Sequence, residues 1–428
     1  MNAETMQATR WQELGGRFDR VILLASCALG ALGLVMVGSS SMAIAEGLEV
    51  GPFHFLVRHV IFLVLGLGLA LWMSRIELRN LERFSHVCLL AGLTLLLAVF
   101  LPGIGHTVNG ARRWINLVVS NFQAVEAVKL LLVVWLASYI ARHRERIQTT
   151  MLAASKPFLV VSIFVLALLA QPDFGSATLL LAITAGMIWL AGVRLLHVAI
   201  PTLLAVPVLV WAALAEPYRV RRLTSFLDPW QDPFNSGFQL TQALIAIGRG
   251  EWFGVGLGGS VQKLFYLPEA HTDFIFAVIA EELGFVGIVG VLACFSVLVG
   301  RAFWLGLRGV ELGRYFAGFV AFGIALWIGL QAFVSISVNL GLLPTKGLTL
   351  PLVSSGGSSV LMTCAALGLL LRVSYELDRS ERQVAWHRGE LAEPEALDEE
   401  EPEAMAPPVR RPSLKGRLRI EPVLGEVA

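Results

Sequence analysis

Long apolar runs separated by short polar segments fill most of the sequence between residues 21 and 373. A helix needs about 20 mostly apolar residues to cross the hydrocarbon core of a bilayer. On this criterion the pattern predicts about ten membrane-spanning helices. Their predicted extents are 21–43, 56–72, 86–101, 122–140, 158–170, 176–192, 195–214, 274–300, 316–340 and 352–371. We therefore expect an all-α polytopic membrane protein.

The composition agrees with this pattern and excludes two other classes of protein. Of the 428 residues, 56% are hydrophobic and 15% are charged, whereas soluble domains carry about 25% charged residues. An ordinary cytoplasmic globular protein is therefore excluded. The formal net charge is +1, which gives no basic field for a nucleic-acid partner.

The distribution of Lys and Arg predicts the orientation and the domain organisation, because these residues collect on the cytoplasmic side of a membrane. Basic residues precede the first span and follow the second, fourth, sixth and eighth, so both termini are expected in the cytoplasm. The predicted parts are an N-terminal arm (1–20), a membrane domain (21–373) and a cytoplasmic tail (374–428). A large extracytoplasmic loop (215–273) joins spans seven and eight. The tail combines acidic and proline-bearing stretches, a composition typical of disorder.

Several cations lie on the side of the membrane that Lys and Arg normally avoid. Arg112 and Arg113 follow the third span, and Arg219 and Lys263 lie in the large loop. Such a placement suggests that they hold an anion. The alternative is that they contact anionic headgroups of the outer leaflet.

Charged residues also stand at the outer ends of two other spans. Glu126 and Lys129 are three residues apart at the start of span four, on one face of a helix. This pair is either a self-neutralising structural ion pair or part of a catalytic site. Asp173 lies in a tight turn between spans five and six, where capping the next helix is the alternative to a binding role.

Asp273 stands at the head of span eight, with His271 beside it. Its alternative role is again a helix cap. Two further carboxylates, Glu281 and Glu282, lie about two turns deeper in the same helix, where an uncompensated charge is costly. A carboxylate at the membrane surface near arginines suits chemistry on a lipid-linked anion, because it can accept a proton while the cations hold a pyrophosphate.

The segment after span nine, residues 339–359, is rich in Pro, Gly and Ser and contains Lys346 and Ser358. This composition breaks helix and exposes backbone N–H groups that can bind an anion. A re-entrant loop has the same composition.

Taken together, these segments resemble the SEDS family of bacterial cell-wall polymerases, and most closely its cell-division branch. The match follows all ten predicted spans in order. The segments that carry it are Asn109-Gly-Ala-Arg112-Arg113-Trp114, residues 123–130, Gln171-Pro-Asp173-Phe-Gly175, residues 218–239, residues 261–273, Pro344-Thr-Lys-Gly347 and Gly356-Gly-Ser-Ser359.

The resemblance implies a ten-helix membrane fold that polymerises lipid II, an undecaprenyl-pyrophosphate-linked disaccharide peptide, into glycan strands at the outer face of the cytoplasmic membrane. Asp273 occupies the position of the family's essential carboxylate. The resemblance also implies location at the division septum, a class B penicillin-binding transpeptidase as partner, and other divisome membrane proteins nearby.

On this basis we expect an inverting glycosyl transfer in which Asp273 is the catalytic base. Arg112, Arg113, Arg219 and Lys263, with or without a divalent cation (Mg²⁺ or Mn²⁺), are expected to stabilise the leaving pyrophosphate. Glu126 and Lys129 are expected to shape the cavity. The remaining substrate-binding candidates are Asp173, His271, Lys346 and Ser358. Alternatives are a lipid II flippase, a scaffold for the transpeptidase and the elongation-type polymerase of the same family.

Overall fold

The computed structural model describes residues 15–108, 110–116, 121–214, 217–235, 237–345 and 347–387. These residues form thirteen helices and three short strands. In chain order the elements are α1 (Arg20–Gly47), α2 (His54–Arg75), α3 (Leu78–Arg83), α4 (Ser85–Ala98), β1 (Gly105–Val108), β2 (Ala111–Asn116), β3 (Asn121–Gln123), α5 (Ala124–Thr149), α6 (Met151–Ala170), α7 (Phe174–Leu190), α8 (Leu195–Leu214), α9 (Pro217–Leu227), α10 (Phe238–Arg249), α11 (Ile275–Glu311), α12 (Tyr315–Asn339) and α13 (Gly357–His387).

Ten of these helices correspond to the ten predicted spans. Eight are long and apolar enough to cross a membrane, namely α1, α2, α5, α6, α8, α11, α12 and α13. Two shorter apolar helices, α4 and α7, coincide with the predicted third and sixth spans. The all-α polytopic membrane fold is thus confirmed. Of the eight long spans, α5 and α12 are the most buried, which puts their polar residues inside the bundle.

The fifth span is longer than predicted, because a proline lies within its helix rather than before it. The predicted span was 158–170, whereas α6 begins at Met151 and contains Pro157. Proline cannot donate to the carbonyl four residues earlier, which here belongs to Ala153. The Tyr139 hydroxyl donates to that carbonyl oxygen at 2.9 Å. A side chain of α5 therefore supplies the hydrogen bond that Pro157 removes, and the helix continues.

A small antiparallel sheet, which the sequence pattern did not predict, lies between α4 and α5. Its strand order is β1-β2-β3, so the central strand β2 carries Arg112 and Arg113. The third strand runs directly into α5, which begins at Ala124. The predicted fourth span, 122–140, therefore starts slightly too early. The sheet fixes the two arginines relative to the start of α5.

The spanning helix α11 is broken at Gly284, where φ is +65° and ψ is −160°. Residues with a side chain rarely adopt this backbone conformation. A Cβ at this position would also stand 2.3 Å from the backbone nitrogen of Gly254. We call residues 275–283 the outer part of α11 and residues 285–311 its inner part. Because the helix is not continuous, the direction of each part is set by its own contacts.

The last helix extends beyond the predicted membrane domain. The tail was predicted to begin at residue 374, but α13 continues to His387. Ser374 Oγ accepts a hydrogen bond from the Asp19 backbone N–H at 3.2 Å, and Glu381 pairs with Arg308 of α11 at 2.5 Å. Residues 374–387 are therefore helical, whereas the sequence predicted disorder for them. Residues 388–428, the rest of the predicted disordered tail, lie outside the described residues.

Two truncations distinguish this helical extension from the rest of the tail. Removing residues 388–428 is expected to leave the unfolding temperature in detergent unchanged. Removing residues 374–428 is expected to lower it, because the second deletion removes the bonds of Ser374 and Glu381 and the buried side chain of Leu377, 1% exposed. Loss of one such buried Leu side chain costs about 2–5 kcal/mol. Equal unfolding temperatures for the two truncated proteins would contradict the packing of this extension.

Candidate functional site

Asp273 lies in the turn that precedes α11, one residue before the N-cap position of that helix. The N-cap position is Phe274, whose side chain has no hydrogen-bond acceptor. The backbone N–H of Ala277 instead donates to Asn339 Oδ1 at 3.1 Å, and Asn339 Nδ2 donates to the Asp273 carbonyl oxygen at 3.0 Å. One amide at the end of α12 therefore caps α11 and holds the backbone of Asp273. The N-cap position that the capping alternative assigned to Asp273 belongs to Phe274.

The Asp273 carboxylate approaches the segment after α12 closely. This side chain is half-buried. A Cβ at Gly347 would stand 3.2 Å from Asp273 Oδ2, so the glycine permits the close approach. The carboxylate therefore stands beside the Pro, Gly and Ser segment that the sequence suggested as an anion site. Lys346, the neighbouring candidate, lies outside the described residues.

Two hydrogen bonds join the same segment to the turn that carries Asp273. Ser354 Oγ donates to the Thr272 carbonyl oxygen at 2.7 Å. The Ser355 backbone N–H donates to the His271 carbonyl oxygen at 2.9 Å. Together with Asn339, these bonds fix the backbone of three consecutive residues. The turn is thus held in place before any substrate binds.

His271 packs against the membrane-domain helix α2. Its ring centroid lies 5.0 Å from that of Phe55. Burial lowers the pKa of His271 below its ordinary value, while the nearby Glu269 carboxylate acts in the opposite direction with a smaller effect. The lowered pKa favours the neutral imidazole. His271 is therefore a weaker source of positive charge for a pyrophosphate than an ordinary histidine.

Glu126 and Lys129 form an ion pair in the interior of the bundle. Lys129 Nζ lies 2.8 Å from Glu126 Oε1 and 2.7 Å from Gln331 Oε1, and it also lies 5.0 Å from the centroid of the Trp327 ring. Lys129 is 1% exposed. Gln331 Nε2 donates in turn to the Thr349 carbonyl oxygen at 2.9 Å. The pair thus connects α5 and α12 to the segment that lies beside Asp273, which favours a structural role.

The arginines of β2 hold two neighbouring loops. Arg112 Nη2 donates to the Leu101 carbonyl oxygen at 2.7 Å. Arg113 donates to the carbonyl oxygens of Gln171 and Pro172 at 3.2 and 2.6 Å. Each of these bonds leaves further guanidinium N–H groups for other partners, since arginine carries five donors. Whether they bind a pyrophosphate stays a prediction.

Asp173 performs the capping role that the sequence analysis named as its alternative. It is the N-cap residue of α7, with Oδ1 accepting from the Ser176 backbone N–H at 3.1 Å and Oδ2 accepting from Ser176 Oγ at 2.9 Å. Arg113 Nη1 lies 4.0 Å from its Oδ1. The buried carboxylate thus stabilises the turn before α7.

Ser358 and Lys263 also have partners within the protein. Ser358 Oγ accepts a hydrogen bond from the Gln123 backbone N–H at 3.0 Å, which joins α13 to β3. Lys263, which we expected to hold the pyrophosphate, is 7% exposed and pairs with Glu282 at 2.7 Å. This internal pairing does not agree with that expectation. Arg219 belongs to α9, and its side chain lies outside the described part of the chain.

Comparison with known proteins identifies the family to which the chain belongs. Residues 19–379 match the model of the FtsW/RodA/SpoVE family, described as cell cycle protein. The chain belongs to this family. The match covers the ten spans and the Asp273 turn, and it confirms the SEDS resemblance.

Individual family members show the same relationship in sequence. The chain is 59% identical over 382 residues to a probable peptidoglycan glycosyltransferase FtsW of Xanthomonas oryzae pv. oryzae, covering 89% of this chain and 78% of the relative. It is 50% identical over 366 residues to the protein of the same name from Alkalilimnicola ehrlichii, covering 86% of this chain and 90% of the relative.

Solved structures of family members share the fold. A chain from a peptidoglycan synthase complex, studied for its coordination of polymerization and crosslinking, is 33% identical and has a TM-score of 0.68, covering 84% of this chain and 98% of that one. The rod shape determining protein RodA of Thermus thermophilus is 31% identical with a TM-score of 0.61, covering 83% and 96%. Both identities are high enough for the likeness to extend beyond the fold to the family.

The sequence analysis did not identify the residues that hold the Asp273 turn and the segment beside it. Asn339 and Ser354 were visible only as polar residues in a loop-like segment, and Gln331 lies inside an apolar span. A polar side chain within an apolar run is the one signal that points to them. Their partners could not be predicted, because Asn339 and Asp273 are 66 residues apart.

The described residues do not provide a complete protein ligand set for a metal ion. Among them, no three His, Cys, Asp or Glu side chains are grouped as metal ligands. The divalent cation stays a prediction.

Proposed function

We propose that this protein is a peptidoglycan glycosyltransferase that polymerises lipid II into glycan strands during cell division. The names of the FtsW relatives support the reaction and the division role. The structural observation that carries the proposal is the position of Asp273. Asn339 holds the backbone of Asp273 and Ser354 holds that of the preceding Thr272, while the Asp273 carboxylate lies beside the glycine-rich segment.

The proposed reaction uses Asp273 as a general base. Its carboxylate accepts the proton of the acceptor GlcNAc 4-hydroxyl as that oxygen attacks C1 of the donor MurNAc. The new bond joins the hydroxyl oxygen to C1, and the bond from C1 to the undecaprenyl pyrophosphate oxygen breaks. Attack from the face opposite the leaving group inverts the configuration at C1. Negative charge grows on the pyrophosphate, which nearby arginines are proposed to stabilise.

The depth of Asp273 supports chemistry at the outer surface of the membrane. From Phe285 to Arg301 the inner part of α11 rises roughly 24 Å at about 1.5 Å per residue, which is most of the thickness of about 30 Å of the hydrocarbon core. Arg301 is the first basic residue after the apolar run. We therefore propose that Asp273, which precedes the outer part of α11, stands at the level of the pyrophosphate of a lipid substrate.

Purified protein reconstituted with lipid II tests the proposal directly. We expect glycan polymers from the full chain, with or without its transpeptidase present. Translocation of lipid II across liposomes without polymer would instead identify a flippase. Polymerisation that supports elongation and not division in cells would identify the elongation-type polymerase. If neither polymer nor translocation is detected with the partner present, the scaffold alternative remains.

We further propose a transpeptidase of the class B penicillin-binding type as partner, because a solved family relative comes from a complex that coordinates polymerization and crosslinking. Exposed apolar residues line the inner part of α11 and offer a surface for the partner's membrane helix, among them Phe285, Val286, Val289 and Leu292. Small residues favour close helix approach. Of the glycines available on α11 and α12, Gly318 and Gly323 pack inside the protein, so they are unsuitable for this contact.

Gly290 on the exposed face of α11 gives the test of this interface. It has open space around its missing side chain. We expect Gly290→Leu to weaken co-purification with the transpeptidase several-fold, because the larger side chain prevents close packing. Gly68→Leu on α2, also in open space, is the matched control and should co-purify as the unmodified protein does. Equal co-purification of both variants would place the partner on another surface.

The long apolar helices indicate that the protein crosses a membrane several times. We propose that it resides in the bacterial cytoplasmic membrane at the division septum, among other divisome membrane proteins, with both termini in the cytoplasm. The basic residues on alternate loops support this orientation.

A further inference from the structure

The break in α11 is filled by a turn from the large loop between α10 and α11. At Gly284 the helix loses its regular hydrogen bonds, and residues 251–256 replace them. The N–H groups of Val255 and Gly256 donate to the carbonyl oxygens of Glu281 and Glu282 at 3.0 and 3.1 Å. In return, the Phe285 N–H donates to the Glu251 carbonyl oxygen at 2.9 Å. The outer part of α11 is therefore bonded to the loop instead of continuing into the inner part.

Near the end of the outer part, just before Leu283, lie two fully buried carboxylates with different partners. Glu281 accepts from Ser260 Oγ at 2.5 Å and from the Val261 N–H at 3.1 Å, and it pairs with Arg249 at 3.2 Å. All three partners belong to the same loop and the end of α10. Glu281 therefore fixes the loop to the outer part of α11.

Glu282 makes the longer connection. Lys263 Nζ donates to Glu282 Oε1 at 2.7 Å, and Ser39 Oγ donates to the two carboxylate oxygens at 2.7 and 2.8 Å. Lys263 Nζ also donates to Ser39 Oγ at 2.9 Å. These three side chains join the first span, the large loop and the outer part of α11. A buried ion pair of this kind costs desolvation energy and is specific in geometry.

The charge of Lys263 is balanced inside the protein. Glu282 is 0% exposed and Lys263 is 7% exposed. The neutral pair adds little field at a distance, which makes Lys263 a poor cation for a pyrophosphate in solvent. The same pair stands about two and a half helical turns from Asp273, at the other end of the outer part of α11. Its position is suited to orient that short helix.

We propose that Lys263 and Glu282 are positioning residues, whose ion pair with Ser39 sets the direction of the outer part of α11 and thereby the place of the Asp273 carboxylate. The effect that we expect on the polymerisation rate rests on the proposed function. Asn339 fixes one end of the outer part, and the pair fixes the other. A displacement of about 1 Å at a reacting group is enough to reduce the rate a hundred-fold.

The test uses the double variant Lys263→Met/Glu282→Gln in the full chain. Removing both charges avoids a buried charge without a partner, so the double variant is expected to fold. We expect kcat for lipid II polymerisation to fall about ten- to a hundred-fold, with KM for lipid II within about three-fold of the unmodified protein. In the single variant Lys263→Met, a higher KM with unchanged kcat would overturn the proposal and return Lys263 to pyrophosphate binding.

Hydrogen exchange gives a second readout that does not depend on activity. In the double variant, amides of residues 275–283 should exchange faster, whereas those of residues 285–300 should exchange at the original rate. A matched control is Arg308→Gln/Glu381→Gln, which removes the ion pair at the inner end of α11 and should leave kcat and the exchange of residues 275–283 unchanged.

The two readouts separate this inference from the proposed function. If the unmodified protein makes no glycan, the proposed function fails, and exchange alone decides whether the pair orients the outer part of α11. Unchanged exchange of residues 275–283 in the double variant overturns the inference. A folded double variant with kcat within about three-fold of the unmodified protein overturns it as well.

Discussion

Asp273→Asn is expected to reduce lipid II polymerisation by a factor of about a hundred to ten thousand, the usual contribution of a general base. The amide has nearly the shape of the carboxylate but cannot accept the proton of the acceptor hydroxyl. The bond from Asn339 goes to the backbone carbonyl oxygen of residue 273, so the substitution leaves it intact. The unfolding temperature and the affinity for lipid II should therefore remain close to those of the unmodified protein.

Glu269→Gln is the matched control for this variant. Glu269 is an exposed carboxylate in the same turn, and its Oε2 accepts a hydrogen bond from Thr272 Oγ1 at 2.6 Å. Its neutralisation should change the rate by no more than a few-fold. Turnover of Asp273→Asn within a few-fold of the unmodified protein would refute the assignment of the base. Glu126 and Asp173 would then be the next carboxylates to examine.

Lys129→Met is expected to destabilise the membrane domain strongly. It leaves the Glu126 carboxylate, 4% exposed, without its cation. Removing one partner of a buried ion pair costs about 3–5 kcal/mol. The measurement is the unfolding temperature in detergent, compared with that of Lys156→Met, which removes an exposed lysine of α6.

The double variant Glu126→Gln/Lys129→Met separates the structural role of this pair from a catalytic one. Without either charge, most of the stability lost in Lys129→Met should return. The rate of polymerisation by the folded double variant should then be close to that of the unmodified protein. A stable double variant that makes no glycan would show instead that the pair takes part in catalysis.

The sequence was sufficient to predict the ten spans, because the length and polarity of an apolar run follow directly from the thickness of the membrane. It was insufficient where the backbone departs from a regular helix. The break at Gly284 lies within one apolar run, and only the contact with Gly254 shows why it occurs. The extent of α13 was underestimated, since its last turns are polar and are held by contacts such as that between Ser374 and Asp19.

The candidate site, like the fold, was predicted in part from the sequence. Asp273 and the Pro, Gly and Ser segment were predicted as functional, and the structure places them side by side. The role of Lys263 could not be predicted from charge alone, because its partner Glu282 is supplied by another segment of the chain. A cation on the unexpected side of a membrane can face an anionic ligand, an anionic lipid headgroup or a buried carboxylate, and the fold distinguishes the buried carboxylate from the other two.

The amide of Asn339 makes the local sequence around Asp273 an incomplete description of the site. Its oxygen accepts from one N–H and its nitrogen donates to one carbonyl. Aspartate at this position would lack the donor, and leucine would lack both groups. A homologous sequence can therefore keep the His-Thr-Asp motif and still lose the geometry that the motif depends on, if the last residue of α12 changes. Recognition of competent polymerases from sequence requires both segments to be read together.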